Sequence, residues 1–436
     1  MNLKSLFNKD FRHTAINQIW RLFSGPLLLV LLPLYLTPEA QGYWYTFVSL
    51  AALAIFADMG FSAILLLFSA HEFAHLNFRS DKTITGDEYH LIRLATLLRF
   101  SAKWSSLMAL IVFPIVLIIG YTILNARDTT TDWKLAWLIY GAASVFVFIN
   151  SMVLSFIEGC NSVGDVQKIR FHISVVTFIT TLILLVTGAS LYALSLSLLA
   201  GALAGTALIT FHYNRMLYQL YQKATGESHP WMREIMPLIW RFAISWISGY
   251  FIFSIFTPLA FHYYGTIDAG KVGLSIAVCL AIFSIANIWI TIITPRMNIY
   301  VAQKEYVKLN SDFNKHALLA IMTYILGITA LYIALSIFQD YLPILDRLLP
   351  TASFLIIALA YLAQLTINSM AVYMRAQKKE PLVAVSVFNG IYVSITTALI
   401  AIYLPFEYFF LGFLSAYLIV LPWVYYLFIR HKETHS

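Results

Sequence analysis

Apolar segments about 20 residues long, separated by short polar turns, recur down the whole of this 436-residue chain. Each has the length of one bilayer crossing by a helix. In hydrocarbon every backbone N–H and C=O must be satisfied inside the protein, which leaves helices or closed barrels, and barrel strands would be about half as long and alternating. The expected fold is therefore all-α and polytopic. The spans fall at roughly 15–36, 42–68, 104–124, 134–157, 171–188, 191–211, 235–259, 270–294, 316–338, 351–374, 382–404 and 408–429, about twelve transmembrane helices. With 60% hydrophobic and only 11% charged residues, and a mean hydropathy of +0.77, the chain lies well outside the range of soluble globular domains. The first segment has no small-residue cleavage site and runs on into the next, so it is expected to be retained as the first span.

The net charge of +7 does not point to nucleic acid, because the basic residues are spread over short loops between spans. They read instead as topology signals. With the N-terminus inside, 22 of the 28 Lys and Arg residues fall in cytoplasmic segments; only Arg127, Lys134, Lys271 and Arg347 fall outside, and Arg21 and Arg241 lie within spans. That bias follows the positive-inside rule and predicts two cytoplasmic termini in a cell inner membrane. The outer loops are short, which argues against an extracytoplasmic domain. The longest inner loop, 71–103, is expected to end in an interfacial helix from about Asp87.

The chain repeats itself. Thr37-Pro38 recurs as Thr257-Pro258 at the offset that relates Arg21 to Arg241; Leu53-Ala54-Ile55-Phe56 recurs as Leu280-Ala281-Ile282-Phe283, and Ile149-Asn150-Ser151-Met152 as Ile367-Asn368-Ser369-Met370. An even number of spans per half gives a parallel repeat: a six-helix N-terminal lobe over 1–213, a cytoplasmic linker over 214–234 and a six-helix C-terminal lobe over 235–436.

The candidate site residues are the polar groups inside the spans. An arginine at a span centre costs about 2.5–3.5 kcal/mol on insertion scales, so it faces a wet cavity or a partner. Asn17, Arg21 and Ser24 are spaced for one face of the first helix, and Arg241 and Ser245 for one face of the seventh. Two such stripes facing a shared cleft would grip a phosphate or pyrophosphate bidentately; alternatively each arginine snorkels to the inner interface. Asp58 and Glu158 are the acids in spans, and each either pairs with an arginine or carries a coupling proton. The amides Asn150, Gln364 and Asn368 are expected to join helices. His71-Glu72-Phe73-Ala74-His75 matches the H-E-x-x-H zinc pattern, but no further ligand beyond Asp58 is in view, so it is read as a polar helix end with no metal. The two cysteines, Cys160 and Cys279, indicate neither disulfides nor zinc.

The runs Gly42-Tyr43-Trp44 and Asp58-Met59-Gly60-Phe61, then His71-Glu72, Glu158-Gly159-Cys160-Asn161, Tyr373-Met374-Arg375-Ala376 and Glu380-Pro381 resemble Wzx-type O-antigen flippases of the multidrug/oligosaccharidyl-lipid/polysaccharide exporter (MOP) superfamily, over essentially the whole chain. The resemblance implies a MATE-like two-lobe transporter that is not an enzyme. Its substrate would be an undecaprenyl-pyrophosphate-linked oligosaccharide moved from the inner to the outer leaflet by alternating access. Partners would be the bilayer, the lipid-linked oligosaccharide and polysaccharide polymerase and ligase machinery, with no nucleic acid; the oligomeric state stays open, a monomer being favoured. No cofactor is expected beyond a coupling ion, H+ or Na+. In related lipid II flippases arginines stand in a central cavity, and Arg21 and Arg241 resemble them in position; the two extra helices of those flippases are missing here. Two other readings stay open: a cation-coupled multidrug exporter of the same superfamily, which would want an acidic cleft, and a polysaccharide polymerase or ligase, which would want a substantial outer loop.

Overall fold

The structure is a computed structural model and describes residues 9–127, 131–226, 229–338, 346–376 and 382–433. Among them are twelve helices long and apolar enough to cross a membrane, and the only strands are those of one short hairpin. In chain order the helices are α1 (Lys9–Tyr35), α2 (Pro38–Ala51), α3 (Ile55–Asp58), α4 (Phe61–Phe73), α5 (Glu88–Leu124), α6 (Lys134–Gly159), α7 (Val163–Val186), α8 (Leu191–Lys223), α9 (Trp231–Phe253), α10 (Phe256–Tyr263), α11 (Thr266–Gln303), α12 (Tyr306–Phe338), α13 (Thr351–Ala376), α14 (Val383–Tyr403) and α15 (Leu411–Glu433).

Contacts divide the chain into two units. Residues 1–27 and 47–247 form the first, and 28–46 with 248–436 form the second. The division passes through α1, α2 and α9, so contact does not sort these helices whole. Of the segment 214–234, residues 214–223 are helical, because α8 runs on to Lys223.

The first unit is built on α6, which packs against α4, α5 and α8, with α7 against α8. Its buried core includes Phe61, Trp104, Phe156, Tyr213, Trp231 and Ile239. Polar side chains tie the helices where burial in lipid gives no hydrophobic advantage. Asn150 Nδ2 donates to the Ala202 carbonyl at 2.8 Å and its Oδ1 accepts from Thr206 at 3.0 Å.

The second unit is built on α11, which packs against α10, α12 and α13, with α15 against α13 and α14. The amides join helices here as well: Asn368 donates to Asn287 Oδ1, and Gln364 accepts from Tyr417, each at 2.9 Å. The 28–46 segment belongs here through Gln41 Nε2, which donates to the Gly270 carbonyl, and through Gly42. A Cβ on Gly42 would lie 1.9 Å from the Thr266 carbonyl oxygen, so backbone meets backbone at this crossing.

Two elements differ from the sequence expectation. The second span is not continuous: after a 3-10 turn at Ala52–Ala54, Met59 and Gly60 both adopt left-handed backbone, with φ of +47° and +77°. The interfacial helix expected from Asp87 is the start of the third span, since α5 runs unbroken for 37 residues. Asp87 caps it by accepting from the His90 amide. Leu91, Leu94 and Leu97 are buried in the protein rather than turned to a lipid surface. What precedes α5 is a β-hairpin, β1 (Leu76–Phe78) against β2 (Ile84–Gly86). A two-stranded hairpin is marginal by itself, and this one is held by α8: Gln219 accepts from the Ile84 amide at 2.8 Å and donates to its carbonyl at 2.7 Å.

Candidate functional site

The amino-terminal half of α1 is fastened to α7 turn by turn, all within the first unit. Asp10 accepts from the Gly164 amide at 3.0 Å, taking one of the free N–H groups at the start of α7. Asn17 donates from Nδ2 to Gln167 Oε1 at 2.8 Å, and Trp20 donates to Ser174 Oγ at 3.0 Å while standing edge-on to Phe171 and Phe178. Asn17 is 2% exposed, and its Oδ1 is buried without a partner. The chain of contacts continues to Glu158, which accepts from Gln167 at 3.4 Å and pairs with Arg170 at 2.8 Å. Glu158 also borders a cavity of about 590 Å³ with Asn77, Asn161 and the ends of α4 and α6.

Arg21 lies one turn beyond Asn17 in α1. It is exposed, and no described residue forms a hydrogen bond or ion pair with it. Ser24 and Ser245 are half-buried. The backbone of Arg241 lies in α9 and, like Arg21, falls in the first unit; its side chain is outside the described residues.

Asp58 ends α3 at the break in the second span. Its two oxygens accept from the Ser62 amide and hydroxyl, both at 2.9 Å, so the acid caps the first turn of α4 across the left-handed pair Met59 and Gly60. Neither acid is paired with Arg21: Asp58 is engaged by Ser62 and Glu158 by Arg170. The close neighbour at this break is Phe242, whose Cβ would lie 2.6 Å from a Cβ on Gly60.

A second polar cluster, not anticipated from the sequence, joins α4, α5 and the start of α9. Glu72, 6% exposed, accepts from Arg93 Nε at 2.7 Å and stands 2.8 Å from His90 Nδ1. Arg93 reaches on to Glu234 at 3.2 Å and to His229 at 3.1 Å, with its guanidinium 4.7 Å above the Trp231 ring. Trp231 is itself buried and donates to Thr96. His75 stacks on His90 with ring centroids 4.0 Å apart. The sequence signal for this cluster was the His71-Glu72 pair, where Glu72 serves as an ion-pair acceptor. No group of His, Cys, Asp or Glu among the described residues is arranged to hold a metal ion.

The arrangement defines an all-α polytopic membrane protein with the fold of MATE transporters of the MOP superfamily. The inward-facing structure of a multidrug resistance MATE family transporter of that superfamily superposes with a TM-score of 0.60 over 91% of this chain and 95% of its own, at 13% identity. A MATE structure in a bent conformation gives 0.53 over 98% and 96%, at 12% identity. A MOP superfamily transporter from Pyrococcus furiosus gives 0.54 over 98% and 94%, at 9% identity; it is described as having a binding pocket of reverse polarity that suggests a different function. At these identities the likeness is one of fold. No protein-family model matches the sequence, and a search of curated proteins finds no match.

Proposed function

We propose that this chain is an inner-membrane flippase that carries an undecaprenyl-pyrophosphate-linked oligosaccharide from the cytoplasmic to the outer leaflet by alternating access, with both termini cytoplasmic. The observation that carries this reading is the polarity of the spans. Arg21 is exposed and unengaged, whereas the two intramembrane acids are engaged, Asp58 by Ser62 and Glu158 by Arg170. A free guanidinium attracts a pyrophosphate; a cation exporter needs a free carboxylate. The reverse-polarity pocket described for the Pyrococcus furiosus transporter offers a parallel within the same fold. Arg21 and Arg241 would receive the pyrophosphate, assisted by Ser24 and Ser245, while Asn17 holds α1 in place.

The multidrug-exporter reading draws on the similar multidrug resistance MATE structure. Resistance assays on cells overexpressing the protein separate the two. The decisive experiment is a deletion strain complemented with wild type, Arg21→Ala or Arg241→Ala at matched protein levels. Undecaprenyl-linked repeat units should accumulate on the cytoplasmic leaflet in the deletion strain and in both variants. If both variants flip normally the arginine mechanism is wrong, and an unchanged lipid-linked pool in the deletion strain removes the substrate as well.

A further inference from the structure

Within the first unit, Arg93 on α5 directs its guanidinium at three groups. Nε donates to Glu72 at 2.7 Å, Nη2 donates to Glu234 at 3.2 Å, and Nη1 stands 3.1 Å from His229 Nε2. The same ring nitrogen lies 2.6 Å from Glu234 Oε1. A guanidinium only donates and a carboxylate only accepts, so Nε2 cannot serve both. Without a proton it accepts from Arg93, on a different helix. With one it donates to Glu234, five residues along its own segment, and turns an N–H toward the N–H of Arg93.

That choice falls where α9 is docked. Trp231, the first residue of α9, is 1% exposed, donates to Thr96 on α5 and lies under the Arg93 guanidinium. Its ring centroid is 4.5 Å from that of His229. A charge on His229 would meet Arg93 first among the groups of α5, with Tyr89 beside the guanidinium. The next acid, Glu72, is already held by Arg93 and by His90, and His90 is stacked on His75. On α9 itself Glu234 is the partner and Arg233 is exposed. Toward the end of α8, Lys223 pairs with Glu88, and Arg99 of α5 bonds the Ala224 carbonyl. The His229 and Glu234 side chains are 23% and 37% exposed, so water reaches the pair to deliver a proton.

We propose that His229 is a proton-operated latch on the start of α9. Neutral, it accepts from Arg93 and fastens α9 to α5; protonated, it turns to Glu234, repels Arg93 and frees the first turns of α9. Imidazole is the side chain whose charge ordinarily changes between about pH 5 and 8. Because the fastened form excludes the proton, fastening strengthens as pH rises and is lost as pH falls. The distribution of Lys and Arg assigns this end of the spans to the cytoplasm, so the latch would answer to cytoplasmic pH. It acts on the helix that carries Arg241 and Phe242. The proposal does not rest on the flippase reading, since it concerns how α9 is held and not what is carried.

The test is hydrogen–deuterium exchange on the full-length protein in lipid nanodiscs at about pH 6 and about pH 8, across the range in which imidazole titrates. Exchange of the amides of 231–236, divided by the intrinsic rate at each pH, reads the local opening of α9. In the wild type these amides should be about fivefold less protected at the lower pH, the effect of losing one partly exposed charge-assisted bond. His229→Gln offers an oxygen to Arg93 and an N–H to Glu234 at every pH, so it should stay protected at both. His229→Lys keeps a cation beside Arg93 and should be poorly protected at both. His90→Gln leaves the latch intact and should keep the wild-type response. Equal protection of the wild type at the two pH values, better protection at the lower one, or a response that survives in His229→Gln overturns the proposal. So does a response abolished by His90→Gln, which would move the sensor to the other histidine.

Discussion

Gly60 lies directly against Phe242: a Cβ on the glycine would stand 2.6 Å from the Phe242 Cβ, and the glycine's φ of +77° is one that a side chain adopts only with strain. The break in the second span and the placement of α9 beside it are therefore one feature. Because Phe242 follows Arg241, this contact also sets where the second of the two candidate arginines enters the fold.

Gly60→Ala should destabilise the protein by about 2–4 kcal/mol, the sum of left-handed strain and overpacking. Fluorescence-detected thermal melting in detergent reads the loss. Adding Phe242→Gly, which removes the colliding Cβ, should recover the steric share and leave the strain. A Gly60→Ala protein that melts like wild type would mean that the backbone there is not left-handed.

Arg93 satisfies Glu72 in a nearly buried site, with side-chain exposures of 17% and 8%. Arg93→Gln should cost about 3 kcal/mol because it leaves the carboxylate with His90 as its one charged neighbour, whereas Glu72→Gln with Arg93→Gln together should cost less than the sum of the two single losses. A thermal double-mutant cycle measures this, and additive losses would show that the pair is not coupled.

Both cysteines are buried, and burial pushes the Cys160 thiol well above its ordinary range, so thiolate is scarce. The folded wild-type protein should resist maleimide until it is denatured. Against that background Arg21→Cys should label readily with a permeant maleimide, since Arg21 is exposed and unengaged. Rapid labelling of the wild type would contradict the burial of the two thiols, and an unlabelled variant would contradict the exposure of Arg21.

Gly42→Ala places a methyl 1.9 Å from the Thr266 carbonyl oxygen, where neither backbone has a side chain to move aside. Loss of about 3 kcal/mol or failure to accumulate in the membrane is expected. Gly188→Ala is a useful contrast, because the space around Gly188 is open and only its φ of +79° opposes a side chain. Comparing the two by membrane yield separates collision from backbone strain.

The number and order of the spans were legible from the sequence because crossing a bilayer is a local property. A run such as 351–374 is long and apolar whatever its neighbours do, and α13 is found at Thr351–Ala376. The amides Asn150, Gln364 and Asn368 were legible for the same reason: a polar group in hydrocarbon must find another helix. Partner identity was not legible. Glu158 pairs with Arg170 across the α6–α7 turn, and Asn17 with Gln167 across 150 positions, because α7 lies alongside α1. The hairpin at 76–86 carries too little periodicity in three-residue strands to announce itself, and it stands through Gln219 on α8. Span count and apolar length thus follow from local solvation, which each segment settles alone. The engagement of Asp58 and Glu158, the exposure of Arg21 and the kink at Gly60 depend on which surfaces meet, and only the tertiary structure decides that.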